Sequence, residues 1–255
     1  PATKTIPKEL FPILDKPLIQ YATEEAVSAG IETLVFITGK NSPLIEDYFT
    51  TNKDLESFLL KNGKENELDA VKSVVSEGIK HVFVRQSEPL GLGHAIFCAK
   101  KVIDNEPFAV LLADDFIIPN KINITSELIS GYHLTSKIQI AALEVEKRDI
   151  SKYGVIKMDN KSGEVVGLVE KPEVKDAPSN LASIGRYVLT PEVFDVLRNQ
   201  AVGKNNEIQL ADTINYFAER GLVEKIKLKS KRYDCGSLQG FLKALMHISK
   251  NMGYM

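Results

Sequence analysis

Three short apolar runs, each separated from the next by a helical stretch, constrain this chain more than any other feature: TLVFIT at 33–38, HVFVRQ at 81–86 and FAVLLA at 108–113. A run that is apolar throughout suits a strand covered on both faces. Strand–helix–strand alternation at this spacing argues for an α/β fold with a mostly parallel sheet wrapped by helices. Pro17 opens a helix with Leu18, Ile19, Tyr21, Ala22 and Ala26 on its apolar positions, and Gly30 suits its C-terminal cap. Residues 52–80 break the rhythm and read as two amphipathic helices joined at Asn62 and Gly63. A further strand is expected at 138–145. Beyond Asp149 a turn at 159–163 joins two runs into a hairpin, 181–189 reads as another strand, and Thr190 and Pro191 start a helix. A last helix over 237–250 carries Leu238, Phe241, Leu242, Leu245 and Ile248. With no linker, repeat or low-complexity tract, one domain is expected.

Composition removes several functions. Lys plus Arg number 32 against 34 Asp plus Glu, a net charge of -2, which gives neither a nucleic-acid footprint nor a polybasic membrane surface. No apolar run approaches the ~18–20 residues needed to span a bilayer, and no secretory leader is visible at the start. The two cysteines, Cys98 and Cys235, are far apart and form no CxxC, which excludes a disulfide framework and a Cys-rich zinc site. The four histidines include no HExxH. A soluble cytoplasmic protein is expected.

Five places carry residues suited to chemistry. Three prolines between 7 and 17 forbid a regular helix or central strand, so the segment is a stiff passage presenting Lys8; read alone, it fits a Pro-rich loop with solvated lysines better. Gln86 ends an apolar strand, and Gly91 follows at a turn into a helix, the edge where open α/β sheets bind ligands. A glutamine amide offers a donor and an acceptor, as a pyrimidine edge requires, although a plain helix entrance uses the same glycine. Asp114 and Asp115 follow the strand FAVLLA. Two adjacent like charges need a partner, and a hard divalent ion bridging phosphates would supply it; a helix cap beside a solvated carboxylate is the other reading. Glu170 and Lys171 would point to opposite faces of a strand, unless Pro172 breaks the alternation and lets both reach one ligand. Asp234, in YDCGS, is either a helix cap or a metal ligand. Lys225, Lys227, Lys229 and Lys231 read as the solvated face of an edge strand, and His94 as a structural residue at a helix start.

The order of these motifs is more telling than any one of them. The series KTIPKELFPILDKPLIQY, RQ…GLGHAI, LLADD, KYGVI, VEKP, APSNLASIGRYVLTPEVF, NNEIQLADTI and KRYDCGS closely resembles the bacterial UTP–glucose-1-phosphate uridylyltransferases, in the sugar-1-phosphate nucleotidylyltransferase superfamily. The resemblance runs through nearly the whole chain. It implies a Rossmann-like fold with an added antiparallel subsheet on the sugar side. It also implies Mg²⁺-dependent transfer of a uridylyl group from UTP to glucose 1-phosphate, giving UDP-glucose and pyrophosphate. By resemblance, Lys8 meets the nucleotide phosphates, Gln86 and Gly91 contact the base, and Asp114 and Asp234 hold Mg²⁺. Gly154, Glu170 and Gly185 line the sugar, Lys171 grips its phosphate, and Glu207 is a further sugar-side position. The family often forms dimers or tetramers, and no nucleic-acid or membrane partner is implied.

One departure accompanies the match. The family opens with a strand and a Gly-rich loop of the form GxGTR, just ahead of the residues matching Pro1 to Lys4, and neither is in this sequence. The expectation is therefore that the natural protein begins upstream with an apolar strand and an Arg-containing loop. Two other readings of the site are a thymidylyltransferase acting on the same sugar phosphate and a non-catalytic paralogue that binds a nucleotide sugar. An NAD-linked dehydrogenase fails, because Gly91 and Gly93 are not followed by the third glycine of G-x-G-x-x-G.

Overall fold

The computed structural model describes every residue except 1, 40–42, 76, 121–122, 204–205 and 255, so Pro1, where the resemblance begins, and Asn205 of the NNEIQ stretch lie outside the described residues. After a short 3₁₀ turn at Lys8–Leu10, β1 (Pro12–Ile13) and β2 (Lys16–Pro17) form a minimal hairpin, which the three prolines permit and a longer element would not. Then follow α1 (Leu18–Ser28), β3 (Thr33–Thr38), α2 (Pro43–Tyr48), α3 (Lys53–Lys61), α4 (Glu65–Ser73) and β4 (Lys80–Arg85). Gly63 turns α3 into α4 at a φ of 66°. The middle of the chain holds α5 (Leu92–Cys98), α6 (Lys100–Ile103), β5 (Phe108–Leu111), β6 (Asp115–Ile117), α7 (Ile124–Thr135) and β7 (Ile138–Glu144). The hairpin β8 (Gly154–Met158) and β9 (Val165–Glu170) precedes β10 (Leu181–Leu189), α8 (Val193–Asn199), α9 (Leu210–Ala218), β11 (Val223–Lys227), β12 (Arg232–Asp234) and α10 (Leu238–Asn251). No helix among the described residues is long and apolar enough to cross a membrane.

The fold is α/β with a mixed sheet flanked by helices, but the directions correct the expectation of a mostly parallel one. β10 is central and all nine of its residues are buried. It runs antiparallel to β7 on one edge and to β8 and β5 on the other, while β11 adds to β7 in parallel. β5 and β7 therefore share a direction, as local alternation implies, yet β10 is inserted between them from some forty residues downstream. Periodicity reports strand direction and burial; it does not report adjacency. β3 and β4 form a separate parallel pair, with no ladder to β5 among the described residues.

Side chains from both faces of β10 build the core. Tyr187 and Leu189 pack with Ile138, Ile140, Phe194 and Ile214, while Ile184 and Val188 pack with Leu128 and Ala141 beneath α7. On α10, Phe241, Leu245 and Ile248 join the cluster around Ile13, Leu18 and Phe116, whereas Leu238 and Leu242 are exposed. The apolar face of that helix is thus narrower than the sequence stripe.

Candidate active site

The site forms where the second edge of β10 changes partner. Ala182 pairs with Val155 of β8, and four residues later Arg186 pairs with Leu111 at the end of β5. Gly185 lies at this fork. Its carbonyl accepts the Leu112 N–H at 2.9 Å, and its own N–H donates to the Asp115 carboxylate. A Cβ on Gly185 would fall on Leu112 and Asp115, so only glycine lets the turn at 112–115 settle here. Gly185 is buried under that turn, which it holds in place.

Beyond the turn, β6 pairs antiparallel with β12, setting Asp115 opposite Asp234. The two adjacent aspartates then part company. Asp115 is buried at 6% exposure and ion-pairs with Arg232, whose Nη1 also donates to the Tyr153 hydroxyl at 2.8 Å. Asp114 is open to solvent and takes the Lys8 ammonium at 2.6 Å. The neutralising partners that two adjacent carboxylates require are thus two separate cations, Arg232 for Asp115 and Lys8 for Asp114, and only Asp114 faces outward. Burial works to lower the Lys8 pKa, but the hydrogen bond and charge of Asp114, with Glu9 and Asp234 behind it, outweigh burial and raise it. Lys8 is a cation here.

Asp234 turns toward the same spot. A Cβ on Gly236 would lie 3.0 Å from Oδ2 of Asp114 and 3.1 Å from Oδ1 of Asp234, so the two carboxylates converge on one small space. Among the described residues no third Asp, Glu, His or Cys joins them. Two converging carboxylate oxygens fit Mg²⁺, which keeps several waters and takes its remaining ligands from phosphate oxygens. The next residue is not a ligand: burial first, and then the Asp234 charge, push the Cys235 thiol up to about 12, leaving it neutral. α10 starts just beyond, capped by Ser237, and Gly240 lies so close to the Asp234 carbonyl that a side chain there would displace it.

Glu170 and Lys171 lie at the far end of the fork. Gly154 opposes Glu170 across the hairpin, and a Cβ there would reach Oε2 of Glu170 at 3.1 Å. Lys171 takes a left-handed φ of 44°, which breaks strand alternation and brings its ammonium within 3.7 Å of the Glu170 carboxylate. Both side chains thereby serve one face, and Lys171 N–H donates to the Tyr153 carbonyl at 3.0 Å. Tyr153 and Arg232 thus tie this pair to the aspartates. Both lie in motifs of the series, Tyr153 in KYGVI and Arg232 in KRYDCGS, but the sequence assigns neither of them a role.

Gln86 and Gly91 stand apart, at the end of β4 and the start of α5. Gly91 has a φ of 91° and meets Glu207 and Ile208, whose backbone bonds to Leu90 and Gly93. Glu207 packs beside the Gly91 turn, and its carboxylate accepts from Gln209 at 2.7 Å. Three groups result: Lys8 with Asp114 and Asp234, Glu170 with Lys171, and Gln86 with Gly91 and Glu207.

Known proteins share the sequence and the fold that carry this site. The family model described as nucleotidyl transferase matches residues 1–251. A UTP–glucose-1-phosphate uridylyltransferase of Staphylococcus epidermidis is 47% identical over 95% of this chain and 85% of its own. A crystal structure of UDP-glucose pyrophosphorylase complexed with UDP-glucose superposes with a TM-score of 0.89 at 44% identity, covering 98% of this chain and 93% of the other. A UTP-bound UGPase from Acinetobacter baumannii gives a TM-score of 0.89 at 38% identity, over 98% and 88% of the two chains. With a family match over residues 1–251, a forked sheet and paired carboxylates at its edge, the chain belongs to the nucleotidyl transferase family.

Proposed function

We propose that this protein is a cytoplasmic, Mg²⁺-dependent UTP–glucose-1-phosphate uridylyltransferase. The observation that carries the reading is the convergence of Asp114 and Asp234 beside Lys8, within one fork of the sheet that also holds Glu170 and Lys171. The likeness to relatives named for this reaction, and to structures described with UTP and UDP-glucose, supports it. The frame is a single domain over residues 1–255 that works as a homo-oligomer, dimer or tetramer, which light scattering would check.

In the proposed reaction an oxygen of the glucose 1-phosphate group attacks the α-phosphorus of UTP in line. The new P–O bond forms as the bond to the β-phosphate's bridging oxygen breaks, and pyrophosphate leaves with that electron pair. A phosphate oxygen is already a nucleophile, so no general base is required and the task is positioning plus charge neutralisation. A hard divalent ion held by Asp114 and Asp234 would offset the repulsion between two anions. Lys8 stabilises charge on the nucleotide phosphates, Lys171 neutralises the incoming sugar phosphate, and Glu170 orients the hexose through its hydroxyls. Gln86 and Gly91 meet the base.

Pyrophosphate release measured across four NTPs and several sugar phosphates tests this directly. UTP with glucose 1-phosphate should be the preferred pair, and activity with neither would sink the proposal. On the sugar side, Lys171→Ala should raise the KM for glucose 1-phosphate by about tenfold while leaving that for UTP nearly unchanged. An equal loss on UTP would move Lys171 to the other ligand.

A further inference from the structure

Gln86 is an amide, and the end it offers to a base decides what that base must offer in return. Its Nε2 lies 3.1 Å from the Gly91 carbonyl oxygen and 3.0 Å from Nδ1 of His94. A carbonyl only accepts, so the end of the amide against Gly91 is the NH₂. Its second hydrogen then goes to His94, whose Nδ1 must be unprotonated, with the ring proton on Nε2 toward Sγ of Cys98 at 4.0 Å. Flipping the amide would set two carbonyl oxygens against each other and forfeit the bond at Gly91.

The Gly91 carbonyl cannot turn away to permit such a flip. It also accepts the Ala95 N–H at 3.1 Å in the first turn of α5. On either side, Ile208 N–H donates to the Leu90 carbonyl at 2.8 Å, and Gly93 N–H to the Ile208 carbonyl at 2.9 Å. Both hydrogens of the Gln86 NH₂ are therefore committed to a rigid frame. No described residue donates to Oε1, which is left as the free function of the amide.

We infer that His94 is a positioning residue that fixes Gln86 with its carbonyl oxygen as the base-reading group. The inference rests on the uridylyl-transfer reading above. The one hydrogen-bond donor on the pairing edge of uracil is N3–H, and an outward carbonyl accepts it. Cytosine presents an unprotonated N3 there, lone pair against lone pair. A site so built takes uracil or thymine, whose extra methyl this amide cannot see, and refuses cytosine.

Steady-state kinetics with UTP and CTP, on wild type, His94→Leu and His94→Asn, test the assignment, with thermal midpoints checking that each variant folds. Asparagine can place an acceptor where Nδ1 stands, and leucine cannot. Wild type should prefer UTP. His94→Leu should lower the UTP-to-CTP ratio of kcat/KM by about tenfold through the UTP KM, a shift of ~1.4 kcal/mol, with the KM for glucose 1-phosphate unmoved. His94→Asn should stay within about twofold of wild type, less than one neutral hydrogen bond is worth. An unchanged ratio in His94→Leu, an equal fall in both variants, or CTP used as well as UTP by wild type would overturn it. The ¹⁵N spectrum of the wild-type imidazole gives a second reading that needs no turnover: the proton should sit on Nε2, and finding it on Nδ1 refutes the inference. A wild type without activity on UTP would instead remove the uridylyl-transfer reading, leaving the tautomer measurement to judge His94.

Discussion

The region around β10 and the region around β3 and β4 divide the site between them and are built on different terms. β10 has neighbours on both edges, every residue is buried, and helices cover both faces. Among the described residues β3 has a ladder only to β4, and its burial alternates, with Leu34 and Phe36 inward. The first region presents Asp114, Glu170 and Lys171; the second ends at Gln86. Charge handling thus sits on the over-determined part of the sheet and base reading on the lighter part. What joins them is α1. Ile19 and Ala26 pack against Leu34 and Phe36, Leu18 packs against Phe116, and Glu25 holds Arg186 of β10.

The largest effect is expected at that joint. Arg186 is 2% exposed and Glu25 10%, and their pairing is reinforced by Thr125 and the Leu112 carbonyl. Glu25→Ala leaves a guanidinium buried without its charge partner and should cost about 3–5 kcal/mol. Urea unfolding followed by hydrogen exchange in β4 and in β10 should then separate into two transitions. A single shared transition at nearly wild-type stability would show that the two regions are joined by something else.

The next test lies within the β10 region, at the adjacent aspartates. Asp115→Ala breaks a buried pair and should lower stability by roughly 3 kcal/mol. Asp114→Ala removes a half-exposed pair worth under about 1 kcal/mol, yet should drop turnover by about a hundredfold. Measuring both midpoints and both rates checks the division of labour. Asp114→Ala with more than about a tenth of wild-type activity would take that carboxylate out of the site.

Much of this was legible in the residues. The bounds of β3 and β10, the 154–170 hairpin and the turn at Gly63 are local consequences of apolar runs and glycine, and the sequence carries them outright. The left-handed Lys171 was half legible, since Pro172 already disturbs the strand. The roles of Asp114 and Asp115 were not, because the counter-ion that separates them is Arg232, 117 positions away. Side by side in sequence they look alike; only the β6–β12 pairing assigns one inward. For the same reason the insertion of β10 between β5 and β7, and the docking of Glu207 at Gly91, depend on long-range contacts that no window of sequence contains.

Native-state hydrogen exchange sharpens the contrast further. Amides of β3 and β4 should open at least about tenfold more readily than those of β7 and β10, because fewer neighbours must be lost to expose them. Equal protection in the two ladders would mean that burial by α1 compensates fully for the missing neighbour.

The smallest effect is one of pH, and it distinguishes the regions by the group that titrates first. Burial pushes Tyr48, beside the β3 region, and Tyr21, packed against Phe116, from 10.0 up to about 12, and it pushes Cys235, behind β12, from 9.0 up to about 12. An acid whose pKa is raised in the folded chain keeps its proton after the unfolded chain has lost it. Its contribution is complete below the unfolded value and is lost as pH climbs through to the folded one. Between pH 9 and 10 the thiol of Cys235 alone among these groups is in that window, so stability should fall there at up to ~1.4 kcal/mol per pH unit. Cys235→Ala should make that interval shallower, leaving the share of the Cys98 thiol, which burial also pushes up from 9.0, and the steeper tyrosine-driven loss above pH 10. Urea midpoints taken every half unit from pH 8 to 11 measure both limbs. A wild-type curve already flat between 9 and 10 would mean that solvent reaches the thiol, and that the β12 junction opens as readily as the β3 region.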